Sequence, residues 1–76
     1  MDKTELEQQL KLLKADPDSY CLNGGSPNEA LCLEDIYGKW SIYYSEKGLR
    51  TEEVSYKSED EACNAFLIRI KEMLGI

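Results

Sequence analysis

One stretch limits what this chain can fold into. Ala30 to Tyr56 reads ALCLEDIYGKWSIYYSEKGLRTEEVSY, three runs rich in β-formers separated near Gly38 and Gly48. Alternating runs of this length, punctuated by glycine, predict a three-stranded antiparallel meander with two tight connections. In the middle run Trp40, Ile42 and Tyr44 alternate with Ser41, Tyr43 and Ser45. Neighbours in a strand point to opposite faces, so the first set turns to the core and Tyr43 is expected outward. Leu31 and Leu33 supply the core positions of the first run, and Val54 and Tyr56 those of the third. Asp35 and Ile36 break the alternation, which predicts a bulge near the first turn.

A helical pattern flanks the meander on each side. Thr4 and Glu7 have the spacing of a capping box, and Leu6, Leu10 and Leu13 follow as a narrow apolar stripe, with Leu12 off it. This predicts a helix over about 5–15, stopped by Pro17, with Asp16 extended before the proline. Tyr20-Cys21-Leu22 is a short β-prone run. Asn23 to Asn28, with its Gly24-Gly25 pair, reads as a plain hairpin loop, because it lacks the Lys-Ser/Thr ending of a phosphate-binding loop. Downstream, Ser58 and Glu61 form a second capping box, and Glu59, Asp60 and Glu61 complement the helix dipole. Ala62, Cys63, Phe66, Leu67, Ile70, Met73 and Leu74 then share one helical face. The predicted fold is α+β in one domain, 1–76: an antiparallel sheet of three to four strands with an N-terminal and a C-terminal helix on one face, in the order α-β-β-β-β-α. The other sheet face is left for solvent or a partner.

Composition narrows the function. Acidic residues outnumber basic ones 15 to 9, for a net charge of −6. Direct nucleic-acid binding needs clustered Lys and Arg, and anionic membranes repel such a chain. A basic protein is attracted instead. The chain contains no histidine, and its cysteines, Cys21, Cys32 and Cys63, form no CxxC pair. Neither a zinc site nor a Ser-His or Cys-His nucleophile is expected, nor is a cofactor, and the chain reads as a non-enzyme. Seventy-six residues leave little room to enclose a substrate pocket beside a core. No apolar run is long enough to span a bilayer and the N-terminus lacks a signal-peptide core, so a cytoplasmic protein with reduced thiols is expected.

Gly38-Lys39-Trp40-Ser41-Ile42-Tyr43-Tyr44-Ser45-Glu46-Lys47-Gly48, followed by Ser58-Glu59-Asp60-Glu61-Ala62 and Phe66-Leu67, resembles small immunity proteins of bacterial polymorphic-toxin loci. The resemblance covers about residues 36–70. It implies inhibition of a cognate toxin by stoichiometric binding, the toxin being a basic nuclease, with an RNase favoured. The family shares no catalytic residues to carry over. The expected contact surface is the solvent face of the sheet and its turns, with Glu34, Tyr43, Glu46, Glu52 and Glu53, and Asp35 near the first turn. There the carboxylates pair with partner Lys and Arg, and Tyr43 supplies buried area. The protein is expected as a monomer or weak homodimer, since charged residues in Leu49–Tyr56 disfavour pairing on that edge. An acidic decoy for another DNA- or RNA-binding enzyme and a small ligand-binding domain are the alternatives.

Overall fold

In the computed structural model, residues 1–22, 29–47 and 49–75 are described. The order of elements is helix α1 (Lys3–Leu12), strands β1 (Tyr20–Cys21), β2 (Ala30–Ile36), β3 (Lys39–Glu46) and β4 (Leu49–Tyr56), and helix α2 (Glu59–Leu74). This is the predicted α-β-β-β-β-α fold. The strands lie side by side in chain order as one four-stranded sheet. β2, β3 and β4 form the antiparallel meander, whereas β1 pairs with β2 in parallel. The sheet is therefore mixed, and mostly antiparallel. The stretch Asn23 to Asn28, expected as a hairpin loop, lies outside the described residues; the strands before and after it, β1 and β2, pair in parallel.

The core lies between the sheet and the helices. Leu31 and Leu33 of β2 and Ile42 of β3 meet Ala62, Cys63, Phe66 and Ile70 of α2, and Leu6 and Leu10 of α1 close the cluster. Trp40, Tyr44 and Tyr56 pack at its margin, as the alternation predicted. Val54 falls in register with Ile42, yet it stays 45% exposed on the edge strand. Met73 and Leu74, which the helical spacing puts on the apolar face of α2, remain exposed.

α1 begins and ends earlier than its sequence pattern indicates. Its N-cap is Asp2, whose carboxylate accepts from the Glu5 N–H at 2.8 Å. Asp caps as well as Thr does, and it stands two residues upstream, so Thr4 becomes part of the first turn. At the other end Lys14 takes a left-handed conformation (φ 58°). The Lys14 N–H then donates to the Lys11 carbonyl and the Ala15 N–H to the Leu10 carbonyl. This is a Schellman closure with lysine where glycine is usual, and it tucks Ala15 into the core. Asp16 is extended (ψ 124°), as expected before Pro17. Ser58 caps α2, its hydroxyl accepting from the Glu61 N–H at 3.2 Å. The acidic turn beside it also ties the two helix starts together: Glu59 accepts from the Lys3 N–H at 3.0 Å, and Asp60 pairs with the Met1 amine.

The β2–β3 register is continuous from Ala30↔Ser45 to Ile36↔Lys39, so no bulge occurs at Asp35–Ile36. The irregularity lies in β4, where Val54 pairs with Ile42 and Thr51 with Tyr44, leaving Glu52 and Glu53 together opposite Tyr43. Glu52 takes the left-handed conformation (φ 54°) that lets the extra residue fit. Replacing Asp2 with Ala is expected to cost about 1 kcal/mol of stability, and Thr4→Ala less than about 0.5 kcal/mol. Urea denaturation of both variants checks the assignment, and the reverse ranking overturns it.

Candidate partner-binding surface

On the face of the sheet opposite the core cluster, alternation gathers Ala30, Cys32 and Glu34 from β2, Ser41, Tyr43 and Ser45 from β3, and Arg50 and Ser55 from β4. At its centre is a small second cluster of Ala30, Cys32 and Tyr43, with Cys21 of β1 packed against it. Tyr43 was expected as a displayed contact residue. It does lie on this face, but it is fully buried. Alternation assigns the face and says nothing of cover, and part of the cover is Arg50. The Arg50 guanidinium carbon stands 4.3 Å above the Tyr43 ring centroid. The same guanidinium donates to the Glu34 carboxylate at 3.0 Å and lies 3.7 Å from that of Glu53. Desolvation works against this charge, but Tyr43, Glu34 and Glu53 outweigh it and hold the Arg50 pKa above its usual value.

The expected contact residues therefore divide. Glu34, Tyr43 and Glu53 are brought together around Arg50. Glu52 is not with them, because the bulge turns it toward α2. There Arg69 donates to the Glu52 carbonyl at 3.2 Å and to its carboxylate at 3.4 Å. So of the two adjacent acids expected on this face only Glu53 stays there, where Arg50 links it to Glu34. Asp35 is exposed beside the β2–β3 turn, where its carboxylate accepts from the Gly38 N–H at 3.3 Å. Glu46 is exposed at the other end of β3, roughly 20 Å of strand away at about 3.3 Å per residue.

One residue of this surface escapes a reading by composition. Tyr37 sits with Gly38 in the two-residue β2–β3 turn, and both have positive φ, 51° and 83°. That is a type I′ turn, which favours Asn or Asp ahead of the glycine. A bulky aromatic there is strained, and this one is fully exposed (102%). Its signal in the sequence is the dipeptide itself, Tyr-Gly at the position where the hairpin asks for Asn-Gly. The second hairpin turns through Lys47, also left-handed (φ 50°), while Gly48 lies outside the described residues.

Two surface clefts complete the picture. One, of about 460 Å³, lies between β4 and α2 and is lined by Tyr44, Glu52, Arg69, Glu72 and Met73. The other, of about 340 Å³, is lined by Lys3, Thr4, Glu7, Tyr20, Cys21 and Leu22. Among the described residues no group of three or more His, Cys, Asp and Glu is placed to hold a metal ion, and no helix is long and apolar enough to cross a membrane. No protein-family model, curated protein or solved structure matches the chain.

Two measurements test these placements, one on this face and one on the buried thiols of both faces. A double-mutant cycle with Arg50→Met and Tyr43→Leu should give a coupling of about 0.5–1 kcal/mol, and additivity within error removes the cation–ring contact from the account. The second concerns pH. Burial pushes the thiols of Cys32 and Cys63 up to about 11, from an ordinary value near 9. The raised native pKa means that the unfolded chain loses these protons first. Their contribution to stability is thus complete below about pH 9 and is lost as pH rises toward about 11. The slope is at most about 1.4 kcal/mol per pH unit for each thiol. Cys63→Ala should flatten this decline in denaturation curves taken across the same range.

Proposed function

We propose that this protein neutralises a basic protein by stoichiometric binding, in the manner of the immunity proteins that its central hairpin resembles, with a nuclease toxin, an RNase in particular, as the partner. The observation that carries this is Tyr37. A hairpin that needs Asn or Asp for comfort instead holds an aromatic ring in a left-handed conformation and presents it wholly to solvent. Strain that the fold does not need is what a recognition residue leaves behind. Tyrosine is also among the residues that dominate binding energy at protein interfaces.

The surroundings fit a cationic partner. Asp35 is exposed two residues before Tyr37, Glu34 follows on the open face, and the chain as a whole carries a net charge of −6. Long-range attraction of this sign speeds the encounter and weakens with salt. Tyr43 acts from below: it supports Arg50, which in turn positions Glu34 and Glu53. Inhibition needs no catalytic group on this chain, only a surface that covers the nuclease.

Tyr37→Asn separates binding from folding. Asn suits the turn, so the variant should be as stable as the wild type or more stable by up to about 1 kcal/mol, while affinity for the partner falls at least about tenfold. The partner is to be recovered by tagged pull-down from the native cell lysate at low and high salt. Recovery of one basic protein, released by salt and inactive as a nuclease while bound, supports the assignment. Unchanged capture by Tyr37→Asn overturns the role of Tyr37. Capture of a partner whose nuclease activity survives binding overturns the inhibitor function.

A further inference from the structure

The parallel pairing of β1 with β2 places two cysteines side by side. Cys21 and Cys32 are direct register partners, and Cys21 packs against the cluster that contains Cys32 and Tyr43. Partners in adjacent strands stand roughly 4.8 Å apart, within the span of roughly 4.4–6.8 Å that a disulfide requires between Cα atoms. Cys63 is elsewhere, in the core on the helix side of the sheet. All three cysteines are thiols in this structure.

We propose that Cys21 and Cys32 form a site of reversible oxidation, closing to a disulfide that ties β1 to β2. The two thiols differ in a way that orders the steps. Cys21 is half-buried on the edge strand of the sheet, so it is the thiol that a dissolved oxidant meets. Cys32 is fully buried, and burial holds its proton on. With glutathione disulfide as oxidant, the Cys21 thiolate attacks one sulfur and releases one glutathione thiolate, which gives a mixed disulfide. Cys32 then gives up its proton to solvent and attacks the Cys21 sulfur, and the second glutathione leaves. Overall the two protein thiols lose two electrons and two protons, and glutathione disulfide becomes two glutathione molecules.

β1 is only two residues long, so it can shift to meet disulfide geometry without unravelling the meander. The bond would form beside Tyr43, over which Arg50 stacks, because Cys32 is also the register partner of Tyr43. The oxidised and reduced forms thus differ in how firmly the floor of the open face is held.

The test uses the whole protein equilibrated in glutathione redox buffers, quenched with acid and digested with trypsin. The peptide Ala15–Lys39 contains both cysteines and no internal Lys or Arg, while Cys63 falls in another peptide. Expected is a loss of two hydrogens from Ala15–Lys39, reversed by dithiothreitol, with Cys63 still open to alkylation after unfolding. The effective concentration of the pair should be at least about tenfold higher in the native protein than in urea, because the fold, not the chain, brings the thiols together. Equal values in native protein and urea, or a glutathione adduct held on Cys21 with Cys32 still a thiol, overturn the proposal. In Cys21→Ser the loss of two hydrogens from this peptide should vanish, and its persistence there would also overturn it.

Discussion

Everything in this fold hangs on one helix face. The apolar face of α2 carries Ala62, Cys63, Phe66 and Ile70, and these residues share one cluster with β2, β3 and α1. A chain of 76 residues has little surface to bury, so it cannot hold a second core of this size in reserve. The elements have few other ways to find each other. α1 is short and its stripe is narrow, and it reaches the core through α2. The acidic first turn of α2 sharpens this dependence, since it caps its own helix and also receives the Lys3 N–H of α1. Deleting the ring of Phe66 or the side chain of Ile70 would remove on the order of 2–5 kcal/mol from a total that is of similar size.

With the helices committed to one side, the chemistry of the other side is decided by β4. Its extra residue sends Glu52 down to Arg69 and leaves Glu53 beside Arg50, so two adjacent carboxylates serve opposite faces. Arg50 gains the stack on Tyr43 and the carboxylate of Glu34 in a single placement. Such pairs add little to stability where they are exposed. Their value here is positional: long side chains on an open sheet are held in one arrangement before anything binds.

Much of the architecture was legible in the sequence, for reasons that are local. Gly38 marks its turn, Ser58 and Glu61 mark the start of α2, and the alternation of Trp40, Ile42 and Tyr44 assigns the faces of β3. What was not legible depends on partners distant in the chain. Alternation puts Tyr43 on the open face but cannot say that Arg50, seven residues on, will lie over it. Two acids in succession, Glu52 and Glu53, read as ordinary strand until one adopts positive φ, which no pattern in their side chains announces. β1 is too short for its direction to be inferred, so its parallel pairing, and with it the meeting of Cys21 and Cys32, emerges only from the folded chain. Tyr37 was visible but is polar enough to pass as a turn residue. Only its conformation and exposure together set it apart.

The left-handed residue in β4 also bears on how the molecule behaves in a crowd of its own copies. β4 is the last strand of the sheet, and it is exposed along all of its length except Tyr56. An unbroken edge of that length is a template on which further chains can stack into fibrils. Glu52 breaks the row of backbone donors and acceptors between Thr51 and Val54. A strand arriving from another molecule finds only two short segments out of phase with each other, neither long enough to seed a cross-β stack. One strained glutamate, at a conformational cost of about 1 kcal/mol, thus gives this edge the kind of break by which bulges blunt exposed strands.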